Sequence, residues 1–191
     1  MKFNIFLFII ALAFSQQGIA VVISSDKSRI EDSLQLSATI DLSDEIFLGT
    51  LDVQVLSPLN EIAIWNNATS SFNDLGLFIR IARLSPTPFK ITVLRDAYNC
   101  VFGPTVISNK TNRNVFSSPE YVYTLRSSGT HFQNGQYQLG TESWQMVEND
   151  KYISDVDINI QLPQISSAVL NQLNMHEGRC SGHSIFILSL A

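Results

Sequence analysis

Polar and apolar residues alternate with a period of two along much of this chain, and that spacing constrains its fold more than any other feature. The clearest case is residues 155–162 (DVDINIQL), where Val156, Ile158, Ile160 and Leu162 fall on one face and Asp155, Asp157, Asn159 and Gln161 on the other. Successive side chains of an extended backbone point to opposite sides, so such a row reads as a strand with one buried face. The same pattern runs through residues 33–42, with Leu34, Leu36, Ala38, Ile40 and Leu42 together, and through 51–56, with Leu51, Val53 and Val55. It recurs at 61–65 (Ile62, Ile64), 76–84 (Leu77, Ile79, Ile81), 89–94 (Phe89, Ile91, Val93) and 121–126 (Tyr121, Tyr123, Leu125). Residues 184–190 (SIFILSL) are apolar on both faces.

Turn chemistry separates these runs: Ser57-Pro58, Asn66-Asn67, Ser85-Pro86-Thr87-Pro88, Gly103-Pro104, Ser127-Ser128-Gly129, Asn134-Gly135 and Asn149-Asp150. Short strands joined by polar turns predict an all-β antiparallel sandwich. One short helix is expected over 165–175, capped by Ser166 or Ser167, with Val169, Leu170 and Leu173 on its apolar side.

The first residues read as an export signal. Met1-Lys2 is a positive start, residues 3–14 (FNIFLFIIALAF) are apolar but for Asn4, and a polar stretch with small residues leads to a cut after Ala20. The apolar run is too short to cross about 30 Å of hydrocarbon. In an exported chain the two cysteines, Cys100 and Cys180, read as one disulfide. It closes a loop of about 80 residues, worth roughly 4–5 kcal/mol in the chain-entropy model. The expected organisation is therefore a signal peptide (1–20), an N-terminal extension (21–45) and one sandwich domain (46–191). A net charge of −5, with no basic run, argues against a nucleic-acid partner.

Little in the sequence points to catalysis. His176, Cys180 and His183 have a spacing that could supply metal ligands, with Glu177 between them. Gly178 and Gly182 disfavour the helix such a site needs, and Cys180 has a partner in Cys100. A turn into the last strand is the expected reading, with no metal and no cofactor. No G-x-S-x-G elbow is present. Asp155 and Asp157 are explained as the outer face of a strand, and Asp44-Glu45 as a solvated loop. Asn67-Ala68-Thr69 and Asn109-Lys110-Thr111 match the glycosylation sequon. Trp65 and Trp144 are expected in or near the core.

The alternating segment at 33–42 follows a polar lead, residues 21–32, close to a chain terminus. A strand so placed can pair within its own sheet or complete the sheet of another molecule. Residues 56–94 resemble the central region of the common-pilus (Mat/Ecp-type) fimbrial subunits. The matching features are Ser57-Pro58-Leu59, then Phe72-Asn73 before Gly76-Leu77-Phe78, then Phe89-Lys90-Ile91-Thr92. Glu177-Gly178, Ser181-Gly182 and the final alternating strand extend the similarity. The cysteine pair and the long lead depart from that pattern, which leaves main shaft subunit and minor or tip subunit both open.

The resemblance implies an immunoglobulin-like antiparallel sandwich that lacks one strand and is completed by a donor strand. It implies passage through the periplasm, where a chaperone lends a strand, and an outer-membrane usher that exchanges it for the N-terminal strand of an identical or related subunit. The end point is a cell-surface fimbrium serving adhesion or biofilm formation. The implied donor side chains are Leu34, Leu36, Ala38 and Ile40. The implied acceptor edge is the last strand, with Ile185, Ile187 and Leu188. Two other readings stand beside this one. A tip adhesin or secreted carbohydrate-binding module would stack a host receptor or glycan on Trp65, Trp144 and the Tyr121/Tyr123 pair. A small enzyme would centre on His176, Glu177 and His183. No enzyme activity is expected on the first reading.

Overall fold

The computed structural model describes residues 31–40, 52–66, 71–147, 151–176 and 178–191. In chain order its strands are β1 (Glu31–Ile40), β2 (Asp52–Val55), β3 (Asn60–Asn66), β4 (Ser71–Phe72), β5 (Leu75–Arg83), β6 (Phe89–Phe102), β7 (Thr105–Ser108), β8 (Phe116–Ser118), β9 (Val122–Leu125), β10 (Thr130–His131), β11 (Gln136–Leu139), β12 (Gln145–Val147), β13 (Lys151–Gln161), β14 (Gln164–Ile165) and β15 (Arg179–Leu190). The single α-helix among the described residues is α1, Ser167–Met175. The expected all-β class with one short helix is the observed one.

Two sheets form the sandwich. The first runs β11–β6–β15–β1–β3–β4, with β7 also on β6, and the second runs β10–β9–β13–β5–β2, with β12 on β13. A small β14–β8 pair stands apart. The inner rows meet between the sheets. Leu77, Ile79 and Ile81 of β5 and Val156, Ile158 and Ile160 of β13 face Phe89, Ile91, Tyr98 and Phe186 of the first sheet, all buried in one core. Each such side chain contributes roughly 1.5–3 kcal/mol by leaving water. The Tyr123 ring reaches across to meet Phe186 edge-on at 5.5 Å between centroids.

The chain changes sheets at the Ser57-Pro58 corner, since β2 pairs with β5 and β3 pairs with β1. Two hydrogen bonds hold that corner: the Leu56 amide donates to the Phe78 carbonyl at 2.8 Å, and the Phe78 amide donates to Ser57 Oγ at 3.0 Å. A second crossing uses Asn134-Gly135, both at positive φ, between Gln133 and Gln136, which exchange two 2.9 Å backbone bonds. That is the two-residue hairpin turn for which Asn-Gly is suited.

Two expectations need correction. In β3 the inward residue is Ala63, while Ile62 is 53% exposed and Ile64 also faces solvent. Trp65, on Ala63's face, meets Phe72 edge-on at 5.1 Å, so an aromatic pair sets the parity rather than the isoleucines. The strand beginning at Phe89 is also far longer than residues 89–94. A bulge explains the difference. Arg95 pairs with Ile185 and Val93 with Phe186, which leaves Leu94 extra and 61% exposed. One inserted residue reverses which parity faces inward. Phe89 and Ile91 are buried before it, Tyr98 and Cys100 after it.

Helix α1 begins at Ser166, whose Oγ accepts from the Val169 amide. It ends against Gly178, whose amide donates to the Leu173 carbonyl at 2.8 Å. A Cβ at Gly178 would lie 2.5 Å from Leu173 Cδ2 and 2.8 Å from the Val101 carbonyl oxygen. The backbone of β6 cannot easily give way there, so Gly178→Ala should lower stability by roughly 1–3 kcal/mol, read as a lower midpoint in urea unfolding.

Candidate functional site

The last strand organises the site. One row of β15, Gly182, Ser184, Phe186 and Leu188, is buried, while His183, Ile185 and Ile187 of the other row are half-buried. Along one edge β15 pairs antiparallel with β6 from Arg179 to Leu190. Its other edge is taken by β1, and that pairing is parallel, the single parallel one among the described strands.

The register is specific. Leu34, Leu36, Ala38 and Ile40 stand opposite Gly182, Ser184, Phe186 and Leu188, the buried row of β15. Ser37 stands opposite Ile185 and Thr39 opposite Ile187. On its far side β1 pairs antiparallel with β3, Glu31 with Ile64 through to Gln35 with Asn60. Residues 31–35 of β1 thus have a partner on the β3 side, and residues 36–40 pair with β15 alone. Of the three residues expected to accept, Leu188 stands opposite the expected donor Ile40, whereas Ile185 and Ile187 belong to the other row of β15 and stand opposite Ser37 and Thr39.

Beneath this row a polar chain links the sheets. Tyr123 Oη and Ser184 Oγ are 2.7 Å apart, and the same hydroxyl donates to Asp96 Oδ2 at 3.4 Å. Asp96 in turn forms an ion pair with Lys110. Burial above all pushes the Tyr123 phenol far above the usual tyrosine range, so it stays neutral and serves as a hydrogen-bonding group. The neighbouring Tyr121 stacks on Tyr123 and donates to the Ala97 carbonyl at 3.0 Å.

Cys100 and Cys180 are directly opposite one another on β6 and β15, bonded and buried. The bridge ties the start of β15 to β6 independently of β1. Replacing both cysteines by alanine should cost roughly 2–5 kcal/mol, measured by denaturant unfolding of the oxidised protein against the double variant.

The remaining candidates fall outside this arrangement. Cys180 is committed to the disulfide, His176 is exposed at the end of α1, His183 lies on β15, and Glu177 lies outside the described residues. Trp144, Tyr121 and Tyr123 are buried and Trp65 is half-buried against Phe72, so these four do not form an exposed stacking platform. Trp144 closes one end of the sandwich, donating from Nε1 to the Thr87 carbonyl at 2.8 Å. The Asn109 sequon is a structural device: its amide donates to the Pro119 carbonyl and accepts from the Tyr98 amide, both at 2.9 Å, from a fully buried position. Sequence reasoning missed this role because a sequon carries no sign of burial. Asn67 and Asp44-Glu45 lie outside the described residues.

Asp155 and Asp157 belong to a charged ladder on the outer face of the second sheet. Asp155 accepts two bonds from Arg80 at 2.7 and 2.8 Å, and Asp157 pairs with Arg126 at 3.4 Å. The hydrogen bond from Arg80 holds the Asp155 carboxyl below the usual carboxylate range. A depressed acid contributes stability above its unfolded pKa and loses it as pH falls through the folded value. Both groups are exposed, so the contribution is small. In an NMR pH titration Arg80→Gln should raise the Asp155 midpoint toward the ordinary range.

No protein-family model matches the chain, and no curated protein matches it. Among solved structures, the CooA pilin subunit from enterotoxigenic Escherichia coli is similar over 82% of this chain and 96% of that one, with 6% identity and a TM-score of 0.37. The two-sheet architecture rests on the strand pairings described above, independently of that likeness.

Proposed function

We propose that this protein is a structural subunit of a bacterial surface fimbria, assembled through donor-strand exchange along a chaperone–usher route and serving adhesion or biofilm formation. The observation that carries the reading is the placement of β1. A strand near one chain terminus fills a slot between the last strand and β3, and its alternating residues fall in register with the buried row of β15. A slot of this kind accepts any strand with the same alternation, and strand addition is a general mode of subunit joining. In a fibre, Leu34, Leu36, Ala38 and Ile40 of one subunit enter the slot of the next, lined on one edge by Ile185, Ile187 and Leu188. Residues 1–20 direct export to the periplasm and are removed, residues 21–45 form the exchanged extension, and 46–191 the receiving domain. The partners are identical or related subunits, a periplasmic chaperone and an outer-membrane usher. A bound receptor or glycan belongs to the adhesin reading, whose proposed stacking residues lie in or against the core.

The test is removal of residues 21–42 in the producing cell. Fibres seen by electron microscopy should disappear while folded, chaperone-bound protein is still recovered from the periplasm. Normal fibres from that deletion would refute the donor-strand assignment.

A further inference from the structure

Resting on that reading, we infer that β1 is an intramolecular plug: in the free subunit it closes the chain's own slot, so the subunit folds without a borrowed strand and joins another copy only after β1 withdraws. The slot it closes is otherwise hazardous. Without β1, β15 would present an unpaired backbone edge from Ser181 to Leu188 and β3 a second edge from Asn60 to Ile64. Two facing open edges over an apolar floor invite indiscriminate pairing.

The strand is also kept close by its connection. Ile40 and Asp52 are separated by residues 41–51, a span of at most about 40 Å even when fully extended. A strand on so short a leash meets its slot at an effective concentration of order millimolar. A second copy at micromolar concentration competes against that.

The register sets a large residue against a smaller one at three of its four positions: Leu34 is opposite Gly182, Leu36 opposite Ser184 and Ala38 opposite Phe186, with Ile40 opposite Leu188 at the end. A shift of one position would bring Gln35, Ser37 and Thr39 to the buried row instead. The closure is also uneven along its length. Residues 33–35 are paired on both edges, 31–32 with β3 alone and 36–40 with β15 alone. Opening therefore begins at the Ile40 end, which carries the longer of the two singly paired stretches.

The experiment uses the chain from Val21 to Ala191, purified without partners, with a fluorescent synthetic peptide of residues 31–42 as probe. Three proteins are compared: wild type, Ala38→Asp, and Ser37→Asp, which places the same charge one residue away, opposite half-buried Ile185. If β1 is the plug, wild type is a folded monomer that takes up the peptide at least ~100-fold more weakly than Ala38→Asp, because its competent fraction is small. Ser37→Asp behaves like wild type. Should Ala38→Asp not fold alone, circular dichroism then reads folding on addition of the peptide, and rescue counts as uptake. Equal uptake by wild type and Ala38→Asp overturns the plug while leaving the donor-strand reading intact. No uptake or rescue with any of the three overturns both.

Discussion

A strand that needs a neighbour on each edge and a sheet beneath it is the constraint around which this fold is organised. β15 has all three. β6 runs along one edge for its whole length, β1 along the other, and Tyr123 reaches up from the second sheet to Ser184 at its centre. Removing β6 is prevented covalently by the Cys100–Cys180 bridge, whereas β1 is joined to β15 by backbone pairing. The molecule thus has a covalently tied side and a non-covalently paired side, and the difference lies in bond type rather than in shape. The polar contact under β15 has a physical role of its own. A tyrosine–serine bond in an apolar core must be satisfied in a particular geometry, so it holds the two sheets in one relative position.

Much of this was legible from alternation alone. Residues 155–162 and 77–81 needed nothing more than period two, because both strands lie in the middle of a sheet whose outer face meets water. The helix was legible from its serine cap and its Val169–Leu170–Leu173 stripe. What could not be read falls into a few physical kinds. The second half of β6 was hidden by the bulge at Leu94, which changes parity without leaving a Gly or Pro as a mark. The inward face of β3 was misjudged because Ala63 is a weak hydrophobic signal beside two isoleucines, and the decision was made by Trp65 meeting Phe72. β4, β10 and β14 are two residues each and have no period to detect.

The candidate site divides the same way. That residues 33–40 would form a strand was visible in the order of residues, while Leu42, the last of the expected row, lies outside the described residues. That it would lie parallel to the last strand of its own chain was not, since no local pattern encodes the partner or polarity of a strand. Asn109 makes a related point. Its surroundings look like a loop sequon, yet its amide ties β6 to the segment before β9, and only the contact map distinguishes an asparagine used for pairing from one available at a surface.

The disulfide has a mechanical corollary. Because Cys100 and Cys180 are 80 residues apart in sequence, everything between them forms a closed ring. Tension applied at the two ends of the chain passes through the bridge and bypasses that ring, which includes β7 to β14 and the helix. Roughly 260–290 Å of contour length is thereby withheld from extension. A molecule pulled along such a path would extend only residues before Cys100 and after Cys180, and β9, β10, β12 and β13 of the second sheet would stay inside the ring.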